Sequence, residues 1–453
     1  MREEFRILST TAILGYGFPV ESFEEGMKRN PHLIAVDAGS TDPGPYYLGA
    51  GVSFTDRGAV KRDLEFMIRA GVERKIPVCI GTAGGSGGEP HVRWNREIIE
   101  EIAKENNLSF KLAVIHSELP KDMIKTAFNA GKIHTAKPAP PLSTELLDET
   151  TRIVAQMGVE PFIKAYEGGA DVILAGRAYD PAVFSGIAVA NGYDMGLATH
   201  LGKILECAAI CAAPGSGSDC MFGYIGEDYF RVEPLSNVRK CTTVSVAAHT
   251  LYEKSDPSIL PGPGGHLDLT EAHFEQETES IVRVRGSKYV KSKKYTLKLE
   301  GARKVGYRTV SIAGTRDPVM MEQMDNIIKG VKARVADNFA DKDIKYDLSF
   351  IVYGRDGVMG ALEPLRDAPK SHEFGIVIEA IADTQELANT ICATARSTML
   401  HYGYEGRRAT AGNLAFPYSP SDFKAGEVYA FSVYHLMDVD DPAEFFPIEY
   451  IEL

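Results

Sequence analysis

The chain is poor in cysteine, in positive charge and in long apolar runs. Its six cysteines in 453 residues are scattered and form no C-x-x-C pair. This excludes a disulfide framework and a zinc ribbon, so we expect reduced thiols. Lys and Arg total 49 against 62 Asp and Glu, and the net charge of −13 argues against nucleic acid as a partner.

No run reaches the roughly 18 apolar residues that a membrane helix requires, so we expect no membrane partner. The amino terminus, Met1–Arg6, carries acidic residues where a secretory signal is positively charged, which predicts a cytoplasmic location. The histidines form no H-E-x-x-H motif, and no cluster has the spacing of a transition-metal site. The sequence carries no signature of a redox cofactor; an oxygen-ligated divalent metal ion stays open.

The composition is that of a folded globular protein, with 44% hydrophobic and 25% charged residues. From residue 6 to about 190, short β-branched runs alternate with longer amphipathic stretches, which predicts a mostly parallel, doubly wound sheet. Arg6–Leu14, Leu33–Asp37 and Leu112–Ile115 are expected strands. Beyond about residue 215, segments such as Tyr229–Val232 and Thr242–Ala247 favour β structure. We therefore predict an α/β domain over residues 1–300 with a β-rich extension.

The rest of the chain, residues 301–453, shows a different order of elements. Val310 and Ile312 alternate in a first strand, and Asp317 is the expected cap of the first helix. Two strands, a second helix and a final strand at Val428–Val433 follow. This β-α-β-β-α-β order predicts a ferredoxin-like α+β domain.

Polar and glycine-rich loops follow the predicted parallel strands, at the edge where ligands bind in open α/β sheets. The candidate site residues in these loops are Asp37, Ser40, Thr41, Gly84, Gly85, Ser86, Gly87, Gly88, His116, Glu118 and Arg177. Ser40, Thr41 and the glycine run are expected to contact substrate. The run matches neither the dinucleotide fingerprint nor a Walker A loop, so it either cradles a phosphate or carboxylate or only permits a wide turn. It also fits G-x-S-x-G, with Ser86 as a candidate nucleophile.

Three of these side chains are candidate acid/base catalysts: His116, Glu118 and Asp37. Each has a structural alternative, since Glu118 can serve a helix amino terminus and Asp37 can form a turn. Arg177 suits capture of a carboxylate or phosphate, and its alternative is an ion pair with Asp180.

One further carboxylate stands in an otherwise apolar stretch. Glu206 lies within Ile204–Ala213 and is either turned to solvent or buried with a partner and a raised pKa.

Several longer motifs resemble the acyclic terpene utilisation (AtuA-like) family. They are Gly168–Arg177 (GGADVILAGR), Asp180–Ala182 (DPA), Leu205–Cys207 (LEC) and Leu251–Pro257 (LYEKSDP). The resemblance implies an α/β domain followed by a ferredoxin-like domain, and a role in the breakdown of branched compounds through α,β-unsaturated acyl thioesters. It also implies an oligomer, either of this chain alone or with a small companion subunit.

The leading hypothesis is a catabolic lyase or hydratase acting on a small unsaturated or hydroxylated carboxylate, free or as its acyl-CoA thioester. Adding or removing water beside a carbonyl requires an acid/base pair and a clamp for the anion. A serine hydrolase that uses Ser86 and a non-catalytic subunit that binds acyl-CoA or a partner enzyme are the two alternatives.

Overall fold

The computed structural model describes residues 3–136, 139 and 141–453, which form two compact units. The first unit comprises Met1–Arg303 and Phe431–Leu453, and the second comprises Lys304–Ala430. Met1 and Arg2, which belong to the segment used above to predict location, lie outside the described residues. Within the described residues, no helix is long and apolar enough to cross a membrane.

Most strands of the first unit are short. Its strands are β1 (Phe5–Ser9), β2 (Leu33–Asp37), β3 (Val78–Gly81), β4 (Lys111–Ile115), β5 (Ile133–Thr135), β6 (Thr150–Gln156), β7 (Val172–Ala175), β8 (Met221–Ile225), β9 (Tyr229–Pro234), β10 (Ile259–Gly262), β11 (Gly265–Asp268), β12 (His273–Gln276), β13 (Val282–Arg285), β14 (Lys288–Lys291) and the carboxyl-terminal β19 (Ile448–Glu452). Two long strands, β15 (Tyr295–Thr315) and β18 (Asp422–Val439), contribute residues to both units.

Helices separate most of the parallel strands of the first unit. They are α1 (Val20–Lys28), α2 (Pro45–Ala50), α3 (Arg57–Arg74), α4 (Glu89–Asn106), α5 (Lys121–Asn129), α6 (Thr144–Glu149), α7 (Glu160–Glu167), α8 (Asp180–Ala190), α9 (Met195–Leu205) and α10 (Thr243–Thr250). The second unit contains β16 (Tyr346–Tyr353), β17 (Phe374–Ala382), α11 (Pro318–Glu322), α12 (Met324–Asn338) and α13 (Gln385–Leu400).

A ten-stranded sheet in the order β12-β13-β9-β8-β1-β2-β3-β7-β4-β19 forms the centre of the first unit. Its central strands, from β1 to β4 in that order, are parallel, whereas the flanking strands are antiparallel. The sheet is therefore mixed, and the expectation of a mostly parallel sheet is correct only for its centre. The physical reason is that short connections such as the one between β8 and β9 allow antiparallel pairing, whereas a parallel pair needs a long crossover.

Local sequence explains where the elements near the site begin. Every residue of β2 is buried, as expected for a strand covered on both faces. Helix α3 begins at Arg57 because the Asp56 carboxylate accepts a hydrogen bond from the backbone N–H of Ala59 (3.0 Å). The expected β structure at Thr242–Ala247 is wrong, since Thr242 and Ser245 form a capping box that starts helix α10.

The second unit follows the order strand, helices, strand, strand, helix, strand, with sheet order β16-β17-β15-β18. β17 pairs antiparallel with both β15 and β16. Its core joins the apolar faces of α12 and α13 to the sheet, with Val331, Ile391 and Ile378 fully buried. In the first unit, Lys298–Arg303 of β15 pairs with β6, and His435–Met437 of β18 pairs with β5.

The core of the first unit generates a test of stability. Phe184 on α8 is fully buried, so Phe184→Ala is expected to lower the free energy of unfolding by about 3–5 kcal/mol through lost burial and a residual cavity. The single tryptophan, Trp94, lies on α4 of the same unit, so urea unfolding followed by its fluorescence measures this effect. The control is Val244→Ala at a position that is 76% exposed, where a change within about 0.5 kcal/mol is expected. An equal effect of both substitutions would contradict the assignment of Phe184 to the core.

Candidate active site

The loops that follow the parallel strands meet at one edge of the large sheet. A Cβ atom at Gly39, after β2, would lie 3.2 Å from the Cα of Gly85, after β3. A Cβ atom at Gly87 would lie only 2.1 Å from the backbone nitrogen of Arg177, after β7. Ser117, after β4, joins these loops, because its hydroxyl accepts from Arg177 N (2.6 Å) and donates to the Gly87 carbonyl (2.9 Å). The structure therefore brings Asp37, the glycine run and Arg177 together.

Arg177 is the buried cation of this edge, with its side chain 3% exposed. Its Nε donates to Glu300 Oε2 (2.7 Å), and its Nη1 donates to Asp180 Oδ1 (3.0 Å) and to the Ala178 carbonyl. Burial opposes the charge, but Glu300 and Asp180 raise the pKa of Arg177 and keep it ionised. Lys298 Nζ lies 2.8 Å from the second oxygen of Glu300. The ion pair with Asp180, the structural alternative considered from the sequence, is thus present.

Glu300 remains ionised in spite of its complete burial. Burial alone would raise its pKa, but the charges of Arg177 and Lys298 lower the pKa of Glu300 to about 2. The carboxylate therefore holds a permanent negative charge beneath the loops and orients the guanidinium. This partner of Arg177 comes from β15, more than a hundred residues away along the chain.

Asp37 is a buried carboxyl group at the end of β2, and it is only 5% exposed. Its Oδ2 accepts a hydrogen bond from Gly39 N (3.1 Å), whereas its Oδ1 has no hydrogen-bond partner among the described residues. Burial, followed by the nearby charge of Asp180, raises the pKa of Asp37 well above its usual value. Burial therefore favours the protonated form of Asp37, and its Oδ1 stays available for a hydrogen bond.

Glu206 is a third buried carboxyl group of the site, after Glu300 and Asp37. It follows α9, is 5% exposed and forms a close ion pair with Lys203, while its Oε2 has no hydrogen-bond partner in the described part of the chain. Burial is the main cause that raises the pKa of Glu206, to about 7, with Lys203 opposing it and Asp180 adding to it. Of the two alternatives that the sequence left open, the structure selects the buried carboxylate with a partner.

Lys203 and Lys254 complete the cluster, and the sequence analysis did not single out either of them. Lys203 was detectable as a lysine inside the apolar helix α9, three residues before Glu206. Lys254 lies in a turn after α10, and its Nζ is 6.0 Å from the ring centroid of Tyr179. Burial and the charge of Lys203 lower the pKa of Lys254, while Glu206 and Asp180 oppose this effect.

The glycine run forms a tight turn that uses its own backbone donors. The N–H groups of Gly85 and Gly87 donate to the carbonyls of Thr82 and Ala83 (both 2.9 Å), and that of Ser86 also donates to Ala83. These three donors are satisfied within the turn. The wide-turn alternative therefore accounts for them, and the glycines mainly allow close contact with neighbouring loops.

The hydroxyl groups near this turn differ in their surroundings. Ser86 is 1% exposed, and its Oγ has no hydrogen-bond partner among the described residues. Ser40 Oγ donates to Asp42 Oδ2 (2.7 Å), and Thr41 is buried in the same loop. Within the described part of the chain, no histidine or carboxylate therefore forms a hydrogen bond with Ser86 Oγ, as the activation of a serine nucleophile would require.

His116 lines a cavity beside α4. It lines a space of about 380 Å³ together with Glu89 and Arg96 on α4, and neither Asp37 nor Arg177 lines that space. His116 Nδ1 lies 2.9 Å from Glu89 Oε1. This hydrogen bond is the main cause that raises the pKa of His116, although burial opposes it.

Glu118 serves the amino terminus of α4. Its Oε2 accepts a hydrogen bond from Glu89 N (2.7 Å), and Arg152 Nη1 lies 3.4 Å from its Oε1. A carboxylate in this position neutralises an unpaired N–H group and interacts favourably with the helix dipole. The structure thus gives Glu118 a helix-capping contact, though to α4 and not to the helix after Pro120 that the sequence suggested.

Across the described part of the chain, no group of three or more His, Cys, Asp or Glu side chains is arranged to hold a metal ion. The site is therefore defined by ion pairs and by two partly unpaired carboxyl groups. Its members are Asp37, Arg177, Asp180, Lys203, Glu206, Lys254, Lys298 and Glu300, which we call the buried charge cluster.

The sheet and the side chains described so far define a mixed α/β protein with a buried charge cluster at one edge of its large sheet. A family model described as acyclic terpene utilisation family protein AtuA matches residues 59–217 and 236–421. These ranges cover more than half of the chain, so the protein belongs to the AtuA family. No curated protein and no solved structure matches the chain significantly. All members of the buried charge cluster except Asp37 lie within the matched ranges.

The close approach of Gly87 to Arg177 gives a matched pair of substitutions. Gly87 and Gly131 both have positive φ angles (+71° and +69°), but only Gly87 has backbone atoms within 4 Å of an added Cβ. Gly131→Ala is expected to lower the free energy of unfolding by about 1 kcal/mol, and Gly87→Ala by at least about 3 kcal/mol more. Chemical denaturation measures both. Similar losses for the two variants would show that the contact with Arg177 does not constrain the loop.

The contact between His116 and Glu89 predicts a pH-dependent contribution to stability. Because the pKa of His116 is raised in the folded state, its protonated form stabilises the fold below the unfolded pKa of about 6.5. That stabilisation is lost as pH rises through the folded pKa. We therefore expect His116→Gln to lower the melting temperature at about pH 5.5 and to leave it unchanged at about pH 9.

His273→Gln is the control, because His273 is exposed on β12. Its melting temperature should follow that of the wild-type protein across the whole pH range. A pH-independent loss in His116→Gln would show that packing, and not the charge, is the contribution of His116.

Proposed function

We propose that the protein catalyses the addition or removal of water beside the carbonyl of a small branched unsaturated or hydroxylated acid. Glu206 and Asp37 of the buried charge cluster catalyse this reaction as general base and general acid. Membership of the AtuA family supports the class of substrate, because the family is named for acyclic terpene utilisation. The buried carboxyl groups support the class of reaction.

The observation that carries this proposal is the state of the two carboxyl groups. Each has one oxygen without a hydrogen-bond partner among the described residues, Asp37 Oδ1 and Glu206 Oε2. Buried polar atoms are nearly always hydrogen-bonded, and exceptions of this kind favour a role in binding or catalysis. Burial also raises both pKa values, that of Glu206 to about 7, where proton transfer at neutral pH is most efficient.

In the hydration direction, ionised Glu206 removes a proton from a water molecule whose oxygen bonds to the β-carbon. Protonated Asp37 donates its proton to the α-carbon as the carbon–carbon π bond breaks. The product is a β-hydroxy acid, and proton exchange with solvent restores the starting states of both groups. The reverse sequence removes water, so the same two residues serve either direction.

Arg177 has a positioning role in this proposal. Its guanidinium is held by Glu300 and Asp180, and its charge favours the ionised state of Asp37, which forms when Asp37 donates its proton. Arg177 therefore stabilises the Asp37 carboxylate that forms after proton transfer, and it does so without contacting the substrate. His116 and Glu118, the other acid/base candidates from the sequence, have their own partners on α4 and are not used here.

The serine hydrolase alternative lacks a supporting observation, since no base contacts Ser86 Oγ among the described residues. We also propose that Lys304–Ala430 is a ferredoxin-like domain, supported by its element order and by the sheet order β16-β17-β15-β18. The oligomer and the companion subunit remain predictions from the family resemblance.

The test compares turnover by the wild-type protein and by two isosteric variants. Branched unsaturated acids and their hydroxy counterparts, each as the free acid and as the CoA thioester, are incubated with protein, and mass spectrometry follows the gain or loss of one water. Glu206→Gln and Asp37→Asn are each expected to lower kcat at least about a hundredfold, because each removes a proton-transfer group. The wild-type kcat/KM for hydration should rise with pH through about 7 as Glu206 ionises.

Glu167→Gln is the matched control, since Glu167 is exposed at the end of α7 and outside the cluster. It should retain wild-type activity. Wild-type protein that changes none of the compounds by one water, or full activity in both isosteric variants, would overturn the proposal. Melting temperatures of all variants show whether a loss of activity follows from unfolding.

A further inference from the structure

The ion pairs of the buried charge cluster leave two of its members without a partner of opposite charge. Three ion-pair contacts, Arg177 to Asp180 (3.0 Å), Arg177 to Glu300 (2.7 Å) and Lys298 to Glu300 (2.8 Å), join four of its members. Lys203 pairs with Glu206. This leaves Lys254 and Asp37 without an ion pair, and burial favours the protonated form of Asp37.

Lys254 is the unpaired cation of the cluster. Among the residues that the structure describes, no carboxylate oxygen lies within 4.0 Å of Lys254 Nζ, the limit for an ion pair. No acceptor in that part of the chain receives a hydrogen bond from Lys254 Nζ. The side chain is half-buried, and its Nζ lies 6.0 Å from the centroid of the Tyr179 ring. An ammonium group that is partly removed from water without a partner is unfavourable, and an anion at this position would relieve that penalty.

The rest of the cluster is suited to a ligand with a single negative charge. Within the described part of the chain, three of its four cations contact a carboxylate and Lys254 does not, so one positive charge is left without a counter-ion. The free oxygens Asp37 Oδ1 and Glu206 Oε2 provide further polar contacts for a hydroxyl group or a water molecule. The acyl part of a thioester has no charge and would leave Lys254 unpaired.

We infer that Lys254 binds the carboxylate of the substrate, and that the substrate of this site is a free monoanionic acid and not its CoA thioester. The inference builds on the proposed function, because it assigns a substrate class to the same cluster. Lys254 is then a substrate-binding residue in the LYEKSDP motif, and the carboxylate of the substrate lies beside the turn after α10.

Binding measurements test the inference without requiring turnover. Isothermal titration calorimetry is performed with isovalerate, an unreactive saturated branched acid, and with its uncharged counterpart isovaleramide. Wild-type protein should bind isovalerate at least about tenfold more tightly than isovaleramide, and Lys254→Met should remove this preference through a weaker affinity for isovalerate. Lys254→Arg keeps the positive charge and should retain most of the preference for isovalerate.

The control variant is Lys293→Met, which removes an exposed lysine outside the cluster and should bind isovalerate as the wild-type protein does. Equal affinity of the wild-type protein for both ligands, absence of isovalerate binding, or unchanged binding by Lys254→Met would overturn the inference. So would tighter binding of isovaleryl-CoA that does not depend on Lys254. If Lys254-dependent binding is found but no water is added or removed, the proposed reaction fails while the assignment of the carboxylate site stands.

Discussion

The contact between Arg177 and Glu300 is the interaction on which the rest of the site depends. Two charges that are almost fully buried are stable only when they are paired and hydrogen-bonded, and here each meets the other at 2.7 Å. The guanidinium also holds Asp180 at the start of α8, and its backbone N–H is fixed by Ser117. One buried arginine thus joins the ends of β4 and β7 to a distant strand.

This arrangement gives the buried carboxyl groups different electrostatic surroundings. Glu300 is surrounded by cations and keeps a low pKa, whereas Asp37 and Glu206 have high pKa values mainly because of burial. Carboxyl groups of the cluster therefore differ: Glu300 is a permanent charge, whereas the pKa of Glu206 is raised to about 7. The difference comes from neighbours and not from the side chain itself.

The sequence predicted some of the fold and part of the candidate site. The strand Leu33–Asp37 has the expected bounds, because a short apolar run that ends in a turn-forming residue is typical of a buried strand. Thr242–Ala247 was mistaken for β structure, since the β-branched residues concealed a capping box. The topology of the sheet was sufficient to predict that His116 and Asp37 follow strands at the same edge. The direction of each side chain depends on its hydrogen-bond partners, and His116 bonds to Glu89 in a cavity that Asp37 does not line.

The sequence by itself determined the α/β composition, the family and the presence of an unusual carboxylate at Glu206, because these follow from local patterns of residue type. Tertiary structure alone decided which charges meet. Glu300 and Lys298 reach Arg177 from β15, and Lys254 approaches Glu206 from a turn after α10. Electrostatic interactions depend on distance in space and on burial, and neither quantity can be obtained from spacing along the chain.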